Sequence, residues 1–144
     1  MLKRLFLLSF FLTIICCGII EDTSEPTLTY TYIIKNLTGS ELLIISDFGR
    51  EQLTPNNSEF ICETISSEGY LGGLCSGELE IRIPNTNTGY RCIGRPKLSE
   101  NLCFVEDHLL FTISEGTIFT EIKTRTYEYV LTSDLLDNAF VLPE

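Results

Sequence analysis

Apolar and polar positions follow two different rhythms along this chain. Near the N-terminus, Leu5 to Ile15 form an apolar run of 11 residues behind the cationic pair Lys3-Arg4. The run is apolar on every face, and it is shorter than the ~20 residues that a bilayer span takes. This is the layout of a secretory signal peptide, predicted over residues 1–16. Residues 18–27, GIIEDTSEPT, are acidic and polar with a proline, and they read as a tether. From Thr27 the period changes to two. In TLTYTYIIKN, Leu28, Tyr30, Tyr32 and Ile34 share one face, and Thr27, Thr29, Thr31 and Lys35 share the other. That pattern, rich in β-branched and aromatic residues, predicts a half-buried strand.

The same rhythm recurs to the end of the chain. NLTGSE predicts a turn, and ELLIISDF a second strand, apolar on both faces and central in its sheet. NNSEFIC predicts a short third strand. ELEIRIP alternates, with Leu79, Ile81 and Ile83 inward and Glu80 and Arg82 outward, and NTNTG then turns the chain into GYRCIG. HLLFTI and TIFTEIKTRT flank Ser114-Glu115-Gly116, which reads as a hairpin with glycine at the left-handed position. TYEYVL closes the series with Tyr127, Tyr129 and Leu131 on one face. In TSDLLDNAF, Thr132 or Ser133 is a candidate N-cap for a helix of one to two turns, with Leu135 and Phe140 covering an end of the domain. Seven or eight short strands with polar turns predict an all-β domain over residues 28–144: an antiparallel β-sandwich, immunoglobulin-like in topology, with a short C-terminal helix. There is no Trp to pack on an inter-sheet disulfide, so the likeness to immunoglobulin domains is topological.

Charge narrows the partners. The full chain has 10 Lys+Arg and 20 Asp+Glu, and two of the cations, Lys3 and Arg4, leave with the signal. The mature chain then carries 8 against 20, a formal charge of −12. That argues against nucleic acid, whose affinity comes from neutralising phosphates, it disfavours adhesion to an anionic lipid surface through protein charge, and it favours solubility.

The segment Ile14-Ile15-Cys16-Cys17-Gly18 resembles the lipobox of bacterial lipoproteins, in which an apolar and a small residue precede a lipidated cysteine. Cys17 fits that role, with Cys16 as the small residue before the cut. Cys16 as the lipidated residue ranks second, because bulky Ile15 would then hold the small position. The resemblance implies a mature chain anchored to a membrane by its acyl chains, each buried CH2 contributing ~0.8 kcal/mol. It implies export, with a place on the outer membrane at its periplasmic or cell-surface face. Glu21, Asp22 and Glu25 look like a weak form of the acidic signal that follows the lipidated cysteine in Bacteroidota-type lipoproteins.

Four cysteines remain: Cys62, Cys75, Cys92 and Cys103. In an oxidising compartment an even number predicts two disulfides, and four cysteines allow three connectivities. The pairing 62–75 with 92–103 is favoured, because each pair brackets a polar, glycine-containing segment. The pairing 62–103 with 75–92 is the alternative. A zinc site is disfavoured by the absence of a C-x-x-C knuckle and by the single histidine, His108.

Catalytic motifs are lacking. There is no G-x-S-x-G elbow for a nucleophile, and His108, at the start of an expected strand, has no evident partner. GYLGG lacks the lysine and helix of a phosphate loop. Asp107, Glu106 and the 85–88 loop NTNT carry oxygens that suit calcium, but no D-x-D-x-D-G loop exists, and no metal or other cofactor is assigned. Tyr30, Tyr32, Tyr127 and Tyr129 would serve a sugar platform if exposed and the core if buried.

YTYIIKNLTGSELLI and YEYVLTSDLLDNAF resemble the start and end of a group of small lipoproteins from Bacteroidota-type bacteria. Those open on a Y-x-x-x-I-x-N-x-S/T-G strand and turn, and they close on a Tyr-rich strand and an acidic short helix. The resemblance implies a short secreted β domain and transfers no functional residue. The resulting expectation is a lipid-anchored envelope protein, not an enzyme, with a binding or structural role toward an envelope protein or glycan. A carbohydrate-binding accessory and a small secreted inhibitor or hydrolase are the alternatives.

Overall fold

The computed structural model describes residues 26–95, 101–113 and 116–143. The predicted signal peptide, Cys16, Cys17, most of the tether and the Ser114-Glu115 pair lie outside the described residues. Among the described residues nine strands form two sheets: β1 (Leu28–Asn36), β2 (Leu42–Ser46), β3 (Arg50–Thr54), β4 (Glu59–Ser66), β5 (Glu78–Arg82), β6 (Thr88–Ile93), β7 (Thr120–Lys123), β8 (Thr126–Leu131) and β9 (Phe140–Val141). A 3-10 turn covers Asp47–Gly49, and two single-turn helices follow, α1 (Asp107–Leu110) and α2 (Asp134–Asp137). One sheet has the order β4-β1-β8-β7, and the other β3-β2-β5-β6-β9. No helix among the described residues is long and apolar enough to cross a membrane.

The period-two reading places the inner faces correctly. Tyr30, Tyr32 and Ile34 of β1, Phe60 and Cys62 of β4, and Leu131 of β8 pack with Leu42, Ile44, Leu79, Ile81, Tyr90 and Cys92 of the other sheet in one buried cluster. Each large side chain so enclosed contributes about 1.5–3 kcal/mol. The fold is thus an all-β sandwich, as its alternation predicts.

Four details depart from the pattern. First, six of the seven strand pairings are antiparallel, but β1 and β8 run parallel, in register from Thr31–Thr126 to Asn36–Leu131. Parallel neighbours need a long crossover, and here most of the domain supplies it. Second, HLLFTI is no strand. Asp107–Leu110 forms α1, with buried Leu110 beneath it, and Thr112 then makes an isolated antiparallel bridge to Gly72. A short apolar run does not distinguish strand from helical turn by period alone. HLLFTI therefore offers TIFTEIKTRT no hairpin strand, and β7 pairs instead with β8 through a turn at Thr124-Arg125. Third, β3 escapes the pattern because its hydrophobicity is inverted: Thr54 is fully buried and Leu53 is 57% exposed. Fourth, β4 extends to Ser66, beyond the short strand expected.

The sheets are closed differently along their two sides. On one side, β3 lies beside β4. Arg50 Nη2 donates to the Ile61 carbonyl at 3.0 Å, and Gln52 Nε2 to the Glu59 carbonyl at 2.9 Å. These side chains occupy acceptors on the edge of β4, which would otherwise be open to another strand. On the other side, residues 101–113 and 116–119 fill the wedge between β8 and β6, with Phe119 buried against Tyr32 and Tyr129.

The two long connections also bind each other. Gly73 and Leu74 amides donate to the Phe111 and Leu110 carbonyls at 2.9 and 3.1 Å, and the Ile113 amide to the Leu71 carbonyl at 3.0 Å. A β-carbon at Gly73 would overlap the backbone of Leu110, Phe111 and Thr112, so this approach requires glycine there. The Cys62–Cys75 and Cys92–Cys103 disulfides, with Cα separations of 6.0 and 4.6 Å, tie the same connections to β4 and β6. The favoured cysteine pairing is the observed one.

Candidate functional site

The sequence candidates disperse in space or turn inward. Tyr30 and Tyr32 are 4% and 0% exposed. Their hydroxyls donate to the Ser67 and Gly72 carbonyls at 3.0 and 2.8 Å, so they are core tyrosines and no sugar platform. Tyr127 is stacked on Tyr32 from the same sheet, with centroids 5.5 Å apart. His108 lies on α1 with an exposed side chain, 3.6 Å from the Glu106 carboxylate.

The oxygens considered for calcium are not gathered. Asp107 Oδ1 accepts from the Ile93 amide at 3.1 Å and so ties α1 to the end of β6. Thr86 and Thr88 hydrogen-bond to each other in the β5–β6 turn, beside a different cleft. Cys92, Cys103 and Asp107 do come together, but both sulfurs are spent in the disulfide and offer no thiolate to a metal.

A different constellation lines a cleft at one end of the sandwich. A cleft of about 410 Å3 opens between the end of β8, α2, β6 and the segment after Cys103. Four aromatic residues line it: Tyr90 from β6, Phe104, Tyr129 from β8 and Phe140 from β9. Thr132, Asp134 and Asn138 supply polar groups from around α2. The rings continue a row through the sandwich. Tyr127, Tyr32, Phe119, Tyr129, Phe104, Tyr90 and Phe140 follow one another with centroids 5.5 to 6.4 Å apart. Such spacings are those of favourable stacked and edge-on pairs.

The backing of the cleft is rigid. The Tyr90 hydroxyl donates to the Leu135 carbonyl at 2.7 Å and locks α2 onto β6. Leu135 is 8% exposed, as predicted for a residue that covers the end of the domain. Phe140 belongs to β9, keeps 38% exposure and meets Tyr90 edge-on. Ser133 precedes α2, although its hydroxyl makes no capping bond. Burial raises the Tyr90 and Tyr129 phenols above their ordinary value, so both line the cleft as neutral groups at physiological pH.

Of this lining, the sequence pattern drew attention to Cys103, Tyr129, Leu131, Thr132, Leu135 and Phe140. It gave no sign that Tyr90 and Phe104 would join them. Tyr90 alternates like any core residue, and Phe104 follows a cysteine in a segment without periodicity. The chain has no matching family model, and no curated protein or solved structure matches it.

Proposed function

We propose that this protein is an exported module of the bacterial envelope, anchored at the outer membrane through lipid on Cys17, that works by non-catalytic binding. Two disulfides fit an oxidising environment outside the cytoplasm. The lipobox-like segment before Gly18 supports the anchor, with Cys16 as the second candidate for the lipid. The observation that carries the binding role is the aromatic cleft. Its aromatic walls are fixed by core packing, and the polar groups of Thr132, Asp134 and Asn138 share the lining and would orient a ligand. His108 lines a neighbouring cleft with Glu106 and Asp107, on the other side of Cys103 and Phe104. The combination of the partly exposed Phe104 and Phe140 with Asp134 and Asn138 favours a glycan over a protein partner, because sugar rings offer both apolar faces and hydroxyls.

Intact mass of the membrane-extracted protein tests the anchor. The expected mass is that of residues 17–144 plus lipid, with four cysteines alkylated only after reduction; an unlipidated mass sinks the anchor. The binding role is tested by titrating soluble envelope glycans and following the ring resonances of Tyr90 and Tyr129. Shifts at those rings that vanish in Phe104→Ala support it, and glycans that leave both rings unmoved count against it.

A further inference from the structure

The two ends of the sandwich are built from different connections. β1 begins at Leu28 opposite Ser66, the last residue of β4. The Thr31 amide donates to the Arg125 carbonyl in the β7–β8 turn at 2.8 Å. The start of β1, the β4–β5 connection and the β7–β8 turn therefore share one end. The β1–β2, β3–β4 and β5–β6 turns and α2 lie at the other, where Asn36 pairs with Leu131 and Lys35 with Glu59.

Large apolar side chains stand out from the first end. Ile65 is 72% exposed opposite Thr29, Leu71 is 66% exposed in the β4–β5 connection, and Ile122 is 52% exposed where the β7 register shifts. Ile122 is followed by Lys123 and Arg125, two of the few cations in a strongly acidic chain, while Glu121 accepts the Arg125 amide at 2.8 Å. We infer that this end is a membrane-contact surface: Ile65, Leu71 and Ile122 enter the headgroup region of a phospholipid bilayer, and Lys123 and Arg125 face lipid phosphates. Exposed apolar side chains with cations beside them suit an interfacial surface; here the cations flank Ile122, while Glu63 and Glu68 are the charged neighbours of Ile65 in the chain. The inference rests on the anchor at Cys17. Eleven residue steps separate Cys17 from Leu28, a reach of at most about 40 Å. The tether joins the domain where β1 begins, so the anchor holds that end closer to the bilayer on average. The aromatic cleft, built around the far end of β8 and α2, then points away from the membrane toward its ligand.

The chain has no tryptophan, so one introduced tryptophan reports one place. Ile65→Trp, Leu71→Trp and Ile122→Trp probe the near end. Leu53→Trp and Val141→Trp probe the far end, from positions of 57% and 67% exposure. The full-length lipidated variants are placed on vesicles of phosphatidylethanolamine and phosphatidylglycerol with brominated acyl chains. The near-end tryptophans should be quenched about two-fold more than the far-end pair or more strongly still, because bromine on the chains reports side chains that reach the acyl boundary. Vesicle flotation of the unsubstituted protein separates the two layers of the argument. A protein that does not float overturns the anchor and this inference together. A protein that floats with equal or reversed quenching leaves the anchor standing and overturns the contact surface alone.

Discussion

Asn36 has no solvent exposure and uses its whole amide as a hydrogen-bond hub. Its Nδ2 donates to the Ser40 and Thr54 carbonyls at 2.8 and 2.7 Å, and its Oδ1 accepts from the Thr38 amide and hydroxyl at 3.0 and 2.7 Å. These bonds shape the Asn36-Leu37-Thr38-Gly39 turn, where Gly39 has a φ of 88°. Asn36→Ala would orphan buried groups that each cost about 1–3 kcal/mol, so a total loss of about 3 kcal/mol is expected. Urea denaturation would show it as a lower midpoint with an unchanged slope. The buried tyrosines set a limit at high pH. Burial, and then the charges of the neighbouring Tyr70, Tyr127 and Tyr30, raise the Tyr32 phenol far above its ordinary value of 10.0. Tyr90, Tyr127 and Tyr129 are raised as well, mainly by burial. Groups shifted upward contribute stability that is fully present below pH 10 and is lost as pH rises toward their folded values. Melting temperature should therefore hold from pH 7 to 9 and fall above pH 10, less steeply in Tyr32→Phe.

Between neighbouring strands, the outer face of the β5–β6 pair carries an ionic lock. Glu80 pairs with Arg91 at 2.8 Å across the strands and with Arg82 on its own strand. Its side chain is 13% exposed. Burial by itself pushes the Glu80 carboxyl up, but hydrogen bonds and charge from both arginines outweigh it and hold the group below its usual value. A group shifted downward contributes stability above its unfolded pKa and loses it as pH falls through the folded one. Thermal stability of the wild type should thus decline below pH 4.5, the ordinary carboxyl value, and Glu80→Gln should flatten that decline while lowering stability at pH 7. A parallel acid limb in wild type and variant would show that the lock contributes nothing.

Across the whole domain, the segments between β4 and β5 and between β6 and β7 behave as a third structural component. They are stitched by two disulfides, by the hydrogen bonds between residues 71–74 and 110–113, and by Leu74, Leu110 and Phe119 in the core. Loops of this length contribute about 3 kcal/mol per disulfide in the chain-entropy account. Reduction with dithiothreitol should lower the melting temperature by about 20 °C for a domain of this size. Hydrogen exchange should rise first at the amides of Gly73, Leu74 and Ile113, ahead of those in β1. Simultaneous loss of protection in β1 would mean that the connections and the sandwich form one cooperative unit.

Alternation alone determined that Leu28 to Ile34 form a strand with its even-numbered side chains inward, and that the domain is built from two sheets. Such information is local, because successive side chains of a strand point to opposite faces and each must suit its own surroundings. The cysteine spacing was legible for the same reason: each pair encloses one short polar segment. The parallel alignment of β1 with β8, the inverted burial of Leu53 and Thr54, and the helical turn at Asp107–Leu110 were decided by tertiary structure. Each depends on a neighbour distant in sequence: β8 for β1, the Asn36 amide on the Thr54 carbonyl, and the Ile93 amide on Asp107. The aromatic cleft belongs to this second kind. Tyr90, Phe104, Tyr129 and Phe140 carry no shared spacing, and only the packing of the segment after Cys103 between the two sheets brings their rings together.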